Sequence, residues 1–289
     1  MNPAWSVLLL TTLIGAGQGL FLALFAAQAS GRFLFAGSGL SFALLAAGLL
    51  ASFFHLGHPE RAWRSAAMWR TSWLSREVIV LPAFMALVVA YAWTPSFAVG
   101  ALGVIACLAL FVSTGMIYAC LPFLQEWRSP LTVVNFTLLG CASGLTAAAA
   151  LAAWLEPALA RPYAVAALFV GALAYLGRLA SLVRNARLRP KSTLASAIGV
   201  KHPKITQIAQ GAMGGSFNTR EFFHGRPREV VRAARWALLA LVFPVPAALL
   251  LAGLPSLAFF AQYAGLLAER WYFFAEAKHP QNLYYQAIS

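Results

Sequence analysis

At 289 residues, 61% of them hydrophobic and only 10% charged, the chain carries too little charge to solvate a globular surface, which normally takes about a quarter of the residues. A net charge of +13, from 21 Lys+Arg against 8 Asp+Glu, would suggest nucleic acid in a soluble protein. In a chain this apolar it is a topology signal instead, because basic loops stay cytoplasmic, and no nucleic-acid partner is expected.

The composition therefore predicts an all-α integral membrane protein, and the apolar runs predict a bundle of eight transmembrane helices. Trp5 to Ser30 holds no Lys, Arg, Asp or Glu and gives the first span. No basic stretch precedes it, so no cleaved signal peptide is expected. The second span runs from about Ala36 to His55, after a loop with Arg32, and a Trp- and Arg-rich segment follows to Glu77. Val78 to Gln125 is free of charge; as one helix it would be about 70 Å long, about twice a bilayer core. Thr94-Pro95-Ser96 breaks it into spans three and four. The fifth runs from about Leu131 to Trp154, and the sixth from about Pro162 to Val183 with Arg178 near its end. Trp236 to Ala268 is divided at Gly253-Leu254-Pro255-Ser256 into spans seven and eight, the last continuing to about Ala275.

These spans make one transmembrane domain over residues 1–289, with a long basic loop from Arg184 to Ala234 that reads as a docking surface. The loops on the side of the termini hold seventeen basic residues, against Arg32 and Arg161 opposite. The positive-inside rule then puts both termini in the cytoplasm. Cys107, Cys120 and Cys141 show no metal-binding spacing, so they read as packing residues and no metal site is expected. None of His55, His58, His202, His224 and His279 sits in the middle of a span, which argues against a haem held between two histidines.

Polar residues at membrane depth are costly and frequently functional. Here they are Gln18, His55, Glu77, Arg178, Glu269 and Arg270. The densest chemistry lies in His55-Leu56-Gly57-His58-Pro59-Glu60-Arg61-Ala62-Trp63-Arg64, followed by Ser75-Arg76-Glu77. A quinone headgroup needs donors to its carbonyl oxygens, a titratable group to move protons, a cation to steady negative charge and an apolar wall. His55, Glu77, Arg61 or Arg64, and Phe53, Phe54, Trp63, Trp69 and Trp73 supply those types. The same segment also suits a plain interfacial loop with aromatic anchors, and chemistry alone leaves both open. Glu269, Arg270 and Arg178 are candidates for an intramembrane ion pair or proton path, with packing or snorkelling as the simpler role.

At these residues the chain resembles a known family, the membrane anchor subunits of the dimethyl sulfoxide reductase type. The opening Ser6–Gly19, His55-Leu56-Gly57 with Pro59 and Arg61-Ala62, and Glu77 after Leu74-Ser75 carry the resemblance. The C-terminal Ala268–Asn282 is most similar to the sulfite dehydrogenase branch. The resemblance implies an eight-helix anchor in the bacterial inner membrane, with an iron–sulfur subunit and a molybdopterin catalytic subunit as partners and those cofactors held in them alone. It also implies a quinone (ubiquinone or menaquinone) bound by the pair His55 and Glu77, to which the reading of the residues adds Arg61, Arg64, Trp63 and Gln18, and quinone reduction during sulfite oxidation. The alternatives are an anchor that oxidises quinol in sulfoxide respiration, a purely structural anchor and, from another class, a secondary transporter, although no internal repeat supports the last.

Overall fold

The computed structural model describes residues 1–202, 204–206, 208 and 221–283. Among them every regular element is helical, as expected where no water is available to satisfy the backbone. In order they are α1 (Trp5–Ala26), α2 (Gly31–Phe53), a 3-10 segment (Pro59–Met68), α3 (Trp73–Trp93), α4 (Phe97–Ala119), α5 (Pro130–Leu155), α6 (Pro157–Ala186), the short α7 (Leu194–Ile198), α8 (Arg228–Leu241), α9 (Pro244–Leu251), α10 (Pro255–Glu276) and a 3-10 turn (Pro280–Leu283). Serines close three of the starts: Ser72, Ser96 and Ser129 accept from the amides of Ser75, Val99 and Leu131, satisfying otherwise orphaned donors. Prolines 130, 157, 244 and 255 sit in the first turn of their helices, where a missing N–H costs nothing.

Seven helical stretches among the described residues are long and apolar enough to cross a membrane. They are α1 to α6 and the combined stretch Arg228–Leu251, which α8 and α9 share. α10 has the length, at 22 residues or about 33 Å, but Gln262, Glu269 and Arg270 lower its hydropathy. The expected count of eight therefore rests on α10.

Several expected boundaries move. α2 starts at Gly31 and stops at Phe53, which puts Arg32 in its first turn and His55 beyond its end. α6 begins at Pro157 and runs on to Ala186. The loop expected over Arg184–Ala234 is shorter, because helix resumes at Arg228. The cause is amphipathicity: Val231, Ala234, Leu238 and Val242 recur at helical spacing and pack on Leu182, Leu266 and Tyr272. Arg228, Arg232 and Arg235 lie on the remainder of that helix. Gly214-Gly215 and Arg220, in the same expected loop, lie outside the described residues.

α1 is the central helix, packed on α2, α4, α5 and α10. Small residues permit its closest approach. A Cβ at Gly144 of α5 would fall on the backbone of Gly19 and Leu20, so only glycine fits where these helices cross. Around the crossing, Phe21 meets Phe84 edge-to-face with centroids 5.2 Å apart.

Candidate functional site

The His55–Arg64 segment follows the end of α2, is mostly exposed, and enters at Pro59 the 3-10 helix that leads into α3. His55 itself is exposed, yet partial burial pushes its imidazole below the ordinary histidine range. His58 Nδ1 lies 3.0 Å and Arg61 Nε 3.6 Å from the Glu60 carboxylate. The Arg64 guanidinium sits 5.4 Å from the Trp63 ring, and Trp63 is 72% exposed. Arg76 ties the segment to α3: its Nε and Nη2 donate to the carbonyls of Trp69 and Arg70, and its guanidinium lies 4.1 Å from the Trp73 ring. The result is a positively charged, aromatic collar at the end where α2 leaves and α3 enters the bundle.

Glu77, in the second turn of α3, is buried behind that collar. Thr114 of α4 donates its hydroxyl to Glu77 Oε1. No hydrogen bond or ion pair joins Glu77 to His55 among the described residues. The two groups flank the same helix entry, one facing out and one facing in. Gln18 is elsewhere: it is 1% exposed, and its Nε2 donates to the Cys107 carbonyl at 2.9 Å in the α1–α4 seam.

The other polar residues assemble at the same end of the bundle, inside α5, α6 and α10. Arg178 Nε is 3.1 Å from Glu269 Oε1, and Arg270 Nη1 is 2.9 Å from Glu269 Oε2, all with side chains at most 4% exposed. One carboxylate thus sits between two guanidinium groups. Arg178 Nη2 and Arg270 Nε face no partner. Arg270 also lies over the Phe136 ring at 3.5 Å, and Tyr118 stacks on the same ring at 5.4 Å. Nearby, Asn135 donates to Ser181 at 2.7 Å, and Asn185 donates to Glu276 at 3.1 Å. A cavity of about 10 Å³ adjoins these groups, lined by Asn135, Arg178, Ser181, Glu269 and Arg270 among others. That is room for about one water molecule.

Sequence reasoning missed Thr114, Tyr118 and the Asn135–Ser181 pair. No group of three or more His, Cys, Asp or Glu that would hold a metal ion occurs among the described residues.

Fold and site together define a polytopic helical membrane protein with a basic, aromatic collar over a buried carboxylate. The sequence model of one family, "DMSO reductase anchor subunit (DmsC)", matches residues 1–243, and the chain belongs to that family of membrane anchors. It is also 55% identical, over the full length of both chains, to a sulfite dehydrogenase subunit of Allochromatium vinosum.

Proposed function

We propose that this chain anchors a molybdopterin and iron–sulfur oxidoreductase to the bacterial inner membrane and delivers its electrons to quinone during sulfite oxidation. Full-length similarity to the Allochromatium vinosum protein, together with family membership, is the observation that carries the reading. The same relative favours sulfite oxidation over sulfoxide respiration.

In this reading α10 is the eighth span, its Glu269 charge neutralised within the bundle rather than by water. The alternation of spans then sets the collar, α7, the start of α8 and both termini on the cytoplasmic side, where basic residues accumulate. The collar arginines and the exposed loop face an iron–sulfur subunit, which in turn carries the molybdopterin subunit.

The residues present suit a quinone headgroup. The exposed His55 imidazole, the Arg61 and Arg64 guanidinium groups, Trp63 and Trp69 belong to the segment between α2 and α3, and the buried Glu77 carboxylate follows in the second turn of α3. A bound quinone supplies a two-electron acceptor that also takes up two protons. His55 would hold the headgroup by a hydrogen bond; partial burial lowers its proton affinity, which favours the neutral ring, where one nitrogen donates and the other accepts. Glu77 would exchange protons with the headgroup, and the Thr114 hydroxyl fixes the orientation of its carboxyl group. Arg61 or Arg64 steadies negative charge. Trp63 would supply an aromatic wall for the ring, and Gln18 holds the α1–α4 seam. The substrate is oxidised in the partner, and this chain contributes binding, orientation and protons.

The test is turnover of the assembled complex with two acceptors. His55→Ala and Glu77→Gln should each lower quinone-coupled sulfite oxidation at least about tenfold, a loss of about 1.4 kcal/mol in transition-state stabilisation. Turnover with a soluble artificial acceptor should be unchanged. Intact quinone-coupled turnover in both variants would show that the quinone binds elsewhere.

A further inference from the structure

Arg228, Arg232 and Arg235 recur at i, i+4 and i+7 of α8, a spacing that stacks side chains on one face of a helix. Like charges so placed repel, and among the described residues none of the three forms an ion pair. With Arg226, Val231 and Tyr272 of α10 they line an open cavity of about 480 Å³. Neither Glu229 nor Glu276 belongs to its described lining, and Glu276 already accepts from Asn185 at 3.1 Å. The stretch Arg228–Leu251 holds 24 residues, about 36 Å of helix against a hydrocarbon core of about 30 Å. Its arginine end therefore stands in the headgroup layer. Arg235 lies about 10 Å further in, where a guanidinium on a flexible stem still reaches that layer. Beside it Trp236 is 66% exposed, as suits an aromatic anchor between headgroups and acyl chains.

We infer that this arginine stripe binds the headgroup of an anionic phospholipid, its phosphodiester held among Arg228, Arg232 and Arg235. A phosphate accepts paired N–H bonds from guanidinium forks and cancels the repulsion along the stripe. Basic pockets between helices at the membrane surface suit such headgroups on general grounds. A soluble phosphate would supply the charge but leave Val231 and Trp236 uncovered, whereas a phospholipid brings acyl chains to them. An acidic segment of a partner protein would have to follow the stripe down to Arg235 and Trp236. At that depth backbone groups facing lipid go unsatisfied. The inference rests on the bundle spanning a membrane and not on the quinone site, so its failure leaves the roles proposed for His55 and Glu77 untouched.

The test places the full chain, alone and assembled with its partners, in phosphatidylcholine nanodiscs with a trace of photoactivatable lipid. The tracer is phosphatidylglycerol or phosphatidylcholine, each with a diazirine at the top of one acyl chain, and labelled peptides are mapped by mass spectrometry. Phosphatidylglycerol should label α8 at least about tenfold more than phosphatidylcholine, since each arginine near the surface contributes about fivefold. Arg228→Gln, Arg232→Gln and Arg235→Gln together should bring the two tracers level, while lysine at the same three positions keeps most of the preference. Arg187→Gln, Arg189→Gln and Lys191→Gln, which remove as much charge from exposed positions, should leave the preference intact. Equal labelling by the two tracers in the unmodified chain, or an equal loss in this control, would overturn the inference. Displacement of the tracer by millimolar inorganic phosphate at constant ionic strength would assign the stripe to a soluble anion instead. Loss of the preference on assembly would assign it to a protein interface.

Discussion

Removing the Glu269 carboxylate is the substitution whose cost follows most directly from the geometry. Glu269 lies within 3.1 Å of Arg178 and 2.9 Å of Arg270, and none of the three side chains is more than 4% exposed. Each contact is worth about 4 kcal/mol at an effective dielectric of about 20, against which the desolvation of three ions must be set. Breaking such a buried arrangement by deleting one partner costs about 3–5 kcal/mol, because the charges left behind are uncompensated. Glu269→Gln leaves two guanidinium groups facing each other. It should therefore lower the thermal unfolding midpoint of the purified complex by about 10 °C, at about 2–4 °C per kcal/mol for a chain of this size. The nine tryptophans make intrinsic fluorescence a convenient readout. Replacing all three residues together, as Arg178→Met, Glu269→Leu and Arg270→Met, should cost less than Glu269→Gln alone. A midpoint for Glu269→Gln within a degree of the unmodified protein would refute the electrostatic reasoning.

Thr114→Val removes the donor to Glu77 and should slow quinone-coupled turnover about tenfold, the scale of an orphaned buried acceptor, while Thr114→Ser retains most of it; steady-state assays with both variants decide. Partial burial lowers the His55 pKa, so the imidazole stays neutral at pH 7 and gains its proton only below its usual pKa of about 6.5. Turnover with quinone should accordingly hold as pH falls to that value and drop beneath it, and His55→Gln should remove this acid limb from the pH profile. The folded state binds this proton less readily than the unfolded chain, so the His55 contribution to stability also declines as pH falls through the same window. Gly144→Leu forces a side chain into the backbone of Gly19 and should abolish the monodisperse peak in size-exclusion chromatography. Gly39→Ala, with nothing within 4 Å of the new Cβ, should leave the peak intact and stabilise α2 by about 1 kcal/mol.

The helical class was legible because charge is absent from long runs and present at their ends. The breaks at Pro95 and Pro255 were equally plain, since proline lacks the N–H a continuing helix requires. Hydropathy misjudged α6 and α8, whose ends lie beyond the apolar window: Arg184 and Arg228 are helical although their charge resembles loop. The His55–Arg64 segment and Glu77 stood out because imidazole and carboxylate are rare beside spans. Thr114 did not, because hydroxyls in an apolar run usually bond back to their own helix, as Ser113 does to Ala109. The pairing of Arg178 with Glu269 joins α6 to α10, and no local pattern encodes so distant a contact. Gln262, whose Nε2 caps the Val242 carbonyl that Pro246 leaves free, was likewise invisible until two helices came together in space.

The central claim, an electron-transfer anchor that serves quinone, is tested most directly by purifying the chain with its partners in mild detergent. Molybdenum, iron and extractable quinone are then measured in the same sample. The account predicts molybdenum and iron in fixed ratio to this chain, and quinone that falls in a His55→Ala, Glu77→Gln double variant. A chain that purifies from intact membranes with neither metal nor quinone would contradict it.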